Sequence, residues 1–113
     1  MPTSTLPAAG DLAASMLGAA KGTLNRDWPR VRQFAEPELT KLANTLVEIG
    51  KLLLEGKITE LEARSLLEIH KNTLRTVLLE IQGMGLLAVE NAINAALGAV
   101  RDTVNGAVGL ALL

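Results

Sequence analysis

The sequence contains one histidine, the side chain that most often acts as a general acid or base, so the acid–base chemistry open to the chain is limited. His70 lies in Glu68-Ile69-His70-Lys71, and the spacing of its neighbours places it on the apolar side of a helix. General acid–base catalysis needs a partner group within hydrogen-bonding reach of the imidazole. The best local partners of His70 would be Glu62, which lies too far along the same helix, or a residue across the turn, and a lone histidine on an apolar face is usually structural. We therefore expect His70 to have a structural role.

A metal site is the next chemistry that His70 and its acidic neighbours suggest. Di-iron centres in helical bundles use Glu-x-x-His motifs together with further glutamates that point inward. Here the spacing is Glu-x-His, there is one histidine, and there is no cysteine to supply a thiolate ligand. Glu62 and Glu68 are better explained as residues of a solvated helix face, so the sequence predicts no metal site.

The remaining reactive groups are isolated from one another. Ser4, Ser15 and Ser65 have no histidine at helical spacing to activate them as nucleophiles. Gly83-Met84-Gly85 lacks the lysine and the strand–helix context of a phosphate-binding loop. The sequence therefore predicts no catalytic residue and no bound cofactor, and we expect the protein not to be an enzyme.

The overall charge also excludes a class of partner. The net charge is −1 and the isoelectric point is about 5.8, which disfavours binding to nucleic acid through phosphate contacts. The N-terminus lacks the basic region of a signal peptide. The longest uncharged runs, 91–100 and 103–113, are shorter than the ~20 residues that span a bilayer. We expect a cytoplasmic protein.

The elements that carry these residues are organised around one turn. Gly56 can adopt the left-handed conformation that ends a helix. Thr59 and Glu62 have the spacing of a capping box, which starts the next helix. The stretch from Gly56 to Thr59 therefore predicts the turn of a helical hairpin.

Apolar residues recur at helical spacing on both sides of this turn and never alternate cleanly as in a strand, so the predicted fold is all-α. We expect a single domain with a loose leader at 1–10 and helices at 11–25, 29–55 and 60–112. The last helix is predicted to be long and continuous, and its glycines allow a kink. Its apolar stripe keeps phase through Gly83-Met84-Gly85, and no Ser, Thr, Asp or Asn is nearby to cap a new helix.

The length of that last helix determines the predicted assembly. A helix of about 50 residues would be roughly 75 Å long, too long for one chain of this size to cover. We therefore predict that the hairpin and the shorter N-terminal helix pack as an oligomeric helical bundle. The alternative is a monomeric four-helix bundle with a break at Gly83–Gly85.

Two sets of residues are predicted to serve this assembly. The interface set contains two groups. Residues of the last helix have the heptad spacing that is typical of a coiled coil: Leu86, Val89, Ile93, Leu97, Val100 and Val104. Gly18 and Gly22 of the first helix are small enough for another helix to approach closely. The hinge set contains helix-weakening residues that lie at one height when the chain folds about Gly56: Trp28, Pro29, Gly83 and Gly85.

These patterns favour a non-enzymatic, self-associating helical protein with a scaffold, adaptor or assembly role. Its expected partners are copies of itself or another helical protein, and nucleic acid is not expected. The alternative function is an amphipathic lipid- or membrane-active protein that meets a membrane surface with its charge-poor lobe, formed by the two chain ends.

Overall fold

Three chain reversals organise the structure into four antiparallel helices. The computed structural model describes residues 6–113, and no strand occurs within that range. The helices run over these bounds: α1 Ala9–Leu24, α2 Trp28–Leu54, α3 Glu60–Leu79 and α4 Leu86–Val108. A short 3-10 turn, Asn25–Asp27, joins the first two. The prediction of an all-α fold is confirmed.

The first reversal occurs inside a stretch of 46 consecutive helical residues from Ala9 to Leu54. Asn25 has φ 49° and ψ −106°, which no α-helix accommodates. An unbroken helix of that length would measure about 69 Å, whereas the longest dimension of the molecule is 48 Å. The chain therefore folds back, and Leu6 reaches Gly50 near the far end of α2.

The second reversal is the turn that the sequence predicted. Gly56 has φ +70°. The Glu62 amide donates to Thr59 Oγ1 at 3.1 Å, and the Thr59 amide donates to Glu62 Oε1 at 2.8 Å. Both bonds of the capping box are therefore present, and this prediction is confirmed.

The third reversal contradicts the continuous helix predicted over 60–112. The chain leaves α3 after Leu79, turns at Gly83 with φ +87°, and enters α4 at Leu86. Gly85 occupies the N-cap position in an extended conformation, without a side-chain cap. The break was missed because a glycine N-cap leaves no polar signal in the sequence. Its position is that of the alternative prediction, a four-helix bundle broken at Gly83–Gly85.

The same substitution at the two glycines of this turn should have opposite effects. Gly83→Ser should lower the free energy of unfolding by about 1 kcal/mol because a side chain is strained at positive φ. Gly85→Ser should raise it by a few tenths of a kcal/mol because serine caps a helix better than glycine. Urea titrations of both variants measure the two changes, and equal signs would contradict the assigned turn.

The predicted boundaries of the earlier segments need smaller corrections. α1 begins at Ala9 rather than at 11, so Asp11 lies in its first turn. Of the predicted leader 1–10, residues 1–5 lie outside the described residues, and Leu6 is half-buried against the bundle. α2 begins one residue before the predicted 29 and continues through Pro37.

The four helices share one core. α1 packs closely against α2 and α4, and α2 packs against α3, whereas α3 and α4 touch much less. One core layer takes residues from every helix: Ala20, Leu24, Ala35, Leu39, Leu74, Leu78, Ala92 and Ile93. The apolar stripe of α4 is thus covered by other helices of the same chain, and no second copy is needed to bury it. Self-association itself stays a prediction.

Candidate functional site

The weakly packed helices α3 and α4 are held together near their joining turn by an ion pair. Arg75 donates to Glu90 through two nitrogens, Nε to Oε2 and Nη2 to Oε1, the latter at 3.2 Å. Arg75 also donates to Asn72 Oδ1 on its own helix. The hydrogen bond from Arg75 lowers the pKa of Glu90 and raises that of Arg75.

This pair predicts a pH-dependent difference between the wild type and Glu90→Gln. Because the pKa of Glu90 is lowered in the folded state, its contribution is fully present above the ordinary carboxyl pKa of 4.5. The contribution is lost as the pH falls through the lowered pKa. Wild type should therefore be the more stable protein at pH 7, and the difference should vanish in acid. Thermal melts across pH 2–7 measure it, and a constant difference would contradict the pairing.

Beyond this pair, α3 and α4 separate and leave a cleft of about 540 Å³. Its floor is apolar and its rim is polar, and these residues line it: Arg64, Leu67, Glu68, Lys71, Asn94, Leu97, Gly98, Arg101, Ala111, Leu112 and Leu113. Gly98 faces open space, since a Cβ built there would meet no atom within 4 Å. The missing side chain at Gly98 therefore contributes to the opening.

The rim of the cleft is mainly cationic. Arg64, Lys71 and Arg101 line it, against one acidic side chain, Glu68. Lys71 Nζ lies 3.1 Å from Glu68. The two arginines pair with carboxylates that do not line the cleft. Arg64 pairs with Glu60 at 2.6 Å, and Arg101 pairs more loosely with the exposed Asp102 at 3.6 Å.

The last residues of the chain close one end of the cleft. Gly109 turns the backbone with φ +77°, and Asn105 then holds Leu113 by accepting from its amide at 2.9 Å. Arg64 Nη2 donates to the carbonyl of Ala111 at 2.8 Å. Leu112 is buried between these contacts. Arg64 thus has a structural contact as well as a place on the rim.

A second surface of interest is the side of α3 that faces solvent. Its residues are exposed and uncharged and recur every three or four positions: Leu61, Ser65, Ile69, Asn72, Thr76 and Leu79. We call this set the α3 outer stripe. The charged side chains of the helix at Lys71 and Arg75 lie on the side of α4. The stripe itself therefore carries only apolar and small polar groups, and the exposed charged residues Glu62, Arg64 and Glu68 of α3 lie beside it.

Most of the predicted interface residues belong to the core of one chain. Val89, Ile93, Leu97, Val100 and Val104 are all buried within the bundle. Leu86 is different because it is 59% exposed. The periodicity correctly indicated burial, but the surface that covers these residues belongs to the same chain, mainly to α1 with smaller contributions from α3 and α2.

Gly18 and Gly22, the small residues of the predicted interface set, make no close helix contact within the chain. Gly18 and Gly22 are exposed, and a Cβ on either would meet no atom within 4 Å. The close approach of α1 to α4 uses buried alanines instead, among them Ala13 and Ala20 of α1.

The four predicted hinge residues all lie at one end of the molecule. Trp28 and Pro29 begin α2, and Gly83 and Gly85 lie in the α3–α4 turn. The two turns are in contact because Arg30 donates to the carbonyl of Gln82. We call this end of the bundle the Trp28 end. Here the residues form chain reversals rather than a bend in a rod, and a hinge motion at them stays a prediction.

His70 is half-buried on α3 and does not line the cleft. Within residues 6–113, no cluster of three or more His, Asp or Glu side chains is placed to hold a metal ion. In the same range, none of the helices is both long enough and apolar enough to cross a membrane.

Sequence reasoning missed the cleft, although a signal for it exists. Residues that face each other across α3 and α4 have numbers that add to 165, as in Arg75 with Glu90, Lys71 with Asn94, and Arg64 with Arg101. Folding the sequence at Gly83 would have paired them.

Comparison with protein-family models, with curated proteins and with solved structures found no match for this chain.

Proposed function

We propose that this chain is a non-enzymatic helical module that self-associates through the α3 outer stripe. The observation that carries the proposal is the distribution of exposed apolar side chains. Seven large apolar residues are exposed within 6–113, and three of them lie on the stripe: Leu61, Ile69 and Leu79. α1 contributes none. Exposed apolar side chains that recur along one helix face favour an interaction site on that face.

A second copy of the chain is the partner that the α3 outer stripe fits best. The steps of four and three residues from Ser65 to Leu79 match the spacing of helix–helix contacts in coiled coils. The stripe carries no charge, so two copies could meet face to face without burying an unpaired ion. A two-fold contact uses the same surface on both subunits, which an uncharged stripe permits. The sequence predicted an assembly role mainly for α4. We assign it here to α3 instead.

Charge placed on the stripe tests the proposal. Ile69→Asp should convert a self-associated wild type into a species with the monomer mass of 11.9 kDa, because pairing would bury the new carboxylate. Phe34→Asp is the matched control, since Phe34 is an exposed apolar residue on a different helix, α2. Sedimentation equilibrium measures the masses, and circular dichroism checks that both variants fold.

Two results would count against it. If the wild type stayed monomeric at concentrations up to the millimolar range, the proposed self-association would be wrong. A shift to monomer in Phe34→Asp, with Ile69→Asp unchanged, would place the contact on another surface.

The membrane-active alternative is favoured by one observation at the Trp28 end. Residues 81–89 carry no charge, and Leu86 and Leu87 are 59% and 75% exposed. This short apolar tip could enter a lipid surface. Co-sedimentation with neutral phosphatidylcholine vesicles tests the alternative, with the double variant Leu86→Ser and Leu87→Ser as the comparison. Equal sedimentation of the two proteins would exclude the tip as the contact.

A further inference from the structure

We propose that the α3–α4 cleft binds a single-chain anionic amphiphile, such as a fatty carboxylate. The cleft is a different surface from the α3 outer stripe, so this inference does not depend on self-association. Its volume of about 540 Å³ lies within the range of small-molecule sites in proteins. The proposal rests on three features: an apolar floor, a cationic rim and a gap in the side chains of α4.

The floor matches the tail of such a ligand. Leu67, Leu97 and Leu112 line the cleft from α3, α4 and the C-terminal segment. They are each at least 92% buried, so they lie at the bottom of the opening rather than on its rim. An alkyl chain laid on this base would lose contact with water, which contributes roughly 0.8 kcal/mol for each buried methylene group.

The rim matches the head group. Three of the four charged residues that line the cleft are cations. Arg64 and Arg101 lie at corresponding heights on the two helices, so two like charges border the same opening. The carboxylate partner of Arg101 is 3.6 Å away and almost fully exposed, so Arg101 is the cation most readily drawn to a ligand. A cationic ligand would meet repulsion at the same positions.

The gap at Gly98 provides the space. Glycine is unfavourable inside a helix, by roughly 1 kcal/mol relative to alanine. A larger residue at Gly98 would meet no obstacle within 4 Å at its Cβ, and its side chain would extend into the cleft. Gly98→Leu should therefore fill the binding space while preserving or improving the fold.

The test uses dodecanoate below its micelle concentration and the full chain. Isothermal titration should show one ligand per chain, with amide NMR shifts concentrated at Asn94, Gly98 and Arg101. Gly98→Leu should weaken binding at least tenfold. Gly18→Leu is the matched control, because Gly18 is also an exposed helical glycine with open space at its Cβ but lies on α1. It should bind as the wild type does.

The charge requirement is tested separately. The double variant Lys71→Gln and Arg101→Gln should weaken dodecanoate binding at least fivefold, and dodecyltrimethylammonium should bind the wild type at least tenfold more weakly than dodecanoate. Arg64 is left unchanged because it also holds Ala111.

Four outcomes would overturn the proposal: no binding of dodecanoate, equal binding by wild type and Gly98→Leu, equal binding of the cationic amphiphile, or shifts spread over the whole chain. Binding of an acidic amphipathic peptide without any response to dodecanoate would also overturn it, because the occupant would then be a protein.

Discussion

Val100→Asp is expected to lower the free energy of unfolding by at least about 3 kcal/mol, because a charge without a partner would be placed in the core. Val100 is 2% exposed on the stripe of α4 that faces the rest of the bundle. A loss of that size is a large part of the total stability of a small domain. Urea denaturation followed by circular dichroism measures it.

Leu86→Asp is the control that separates a core from an interface between chains. Both residues belong to the interface set predicted from the sequence, but Leu86 is 59% exposed. Its substitution should change the free energy of unfolding by less than about 0.5 kcal/mol. If Val100→Asp changed only the oligomeric mass and left the stability of the monomer intact, the four-helix packing of the single chain would be wrong.

Ala96→Leu is expected to lower the free energy of unfolding by about 1–3 kcal/mol, because the added carbon atoms have no space in a closely packed core. Ala96 is fully buried on α4, the helix that packs most extensively against α1. The buried faces of these two helices contain several alanines, which lets their backbones approach one another. Thermal and urea unfolding measure the loss.

Ala99→Leu provides the comparison on the same helix. Ala99 is exposed, so a leucine there adds surface without displacing a neighbour. We expect its free energy of unfolding to stay within about 0.5 kcal/mol of the wild type. A loss as large as that of Ala96→Leu would mean that α4 faces the bundle with a different side.

The sequence was most informative where a local chemical rule acts alone. The left-handed glycine at 56 and the reciprocal bonds of Thr59 and Glu62 depend on a few adjacent residues, and the structure has them as predicted. Helix periodicity likewise identified the buried side of α4 from Val89 to Val104. These features follow from the backbone and from side-chain spacing.

The break between α3 and α4 could not be decided from the sequence because the same apolar spacing fits two arrangements, one continuous helix or two helices joined by a reversal. A stripe that keeps phase through Gly83 is compatible with a straight helix and also with a reversal. The reversal buries the stripe within one chain, and the single glycine at φ +87° makes the turn possible. The sequence contains the glycine, but the energy that favours the reversal comes from packing against distant residues of α1.

The cleft was harder still to predict because its residues come from three places. Lys71 and Arg101 are ordinary surface cations when each is considered in its own helix, and Leu112 lies beyond the last helix. They become one surface only when the α3–α4 turn and the C-terminal return are both in place.

The position of Trp28 makes the molecule its own optical reporter. The chain has one tryptophan and no tyrosine, and the indole is buried where α2 begins. Its fluorescence emission therefore reports the entry of solvent at the Trp28 end alone. Loosening of the turn around Gly56 should leave the emission unchanged. A red shift that precedes the loss of helical signal on heating would show that the molecule opens first from the indole-bearing side.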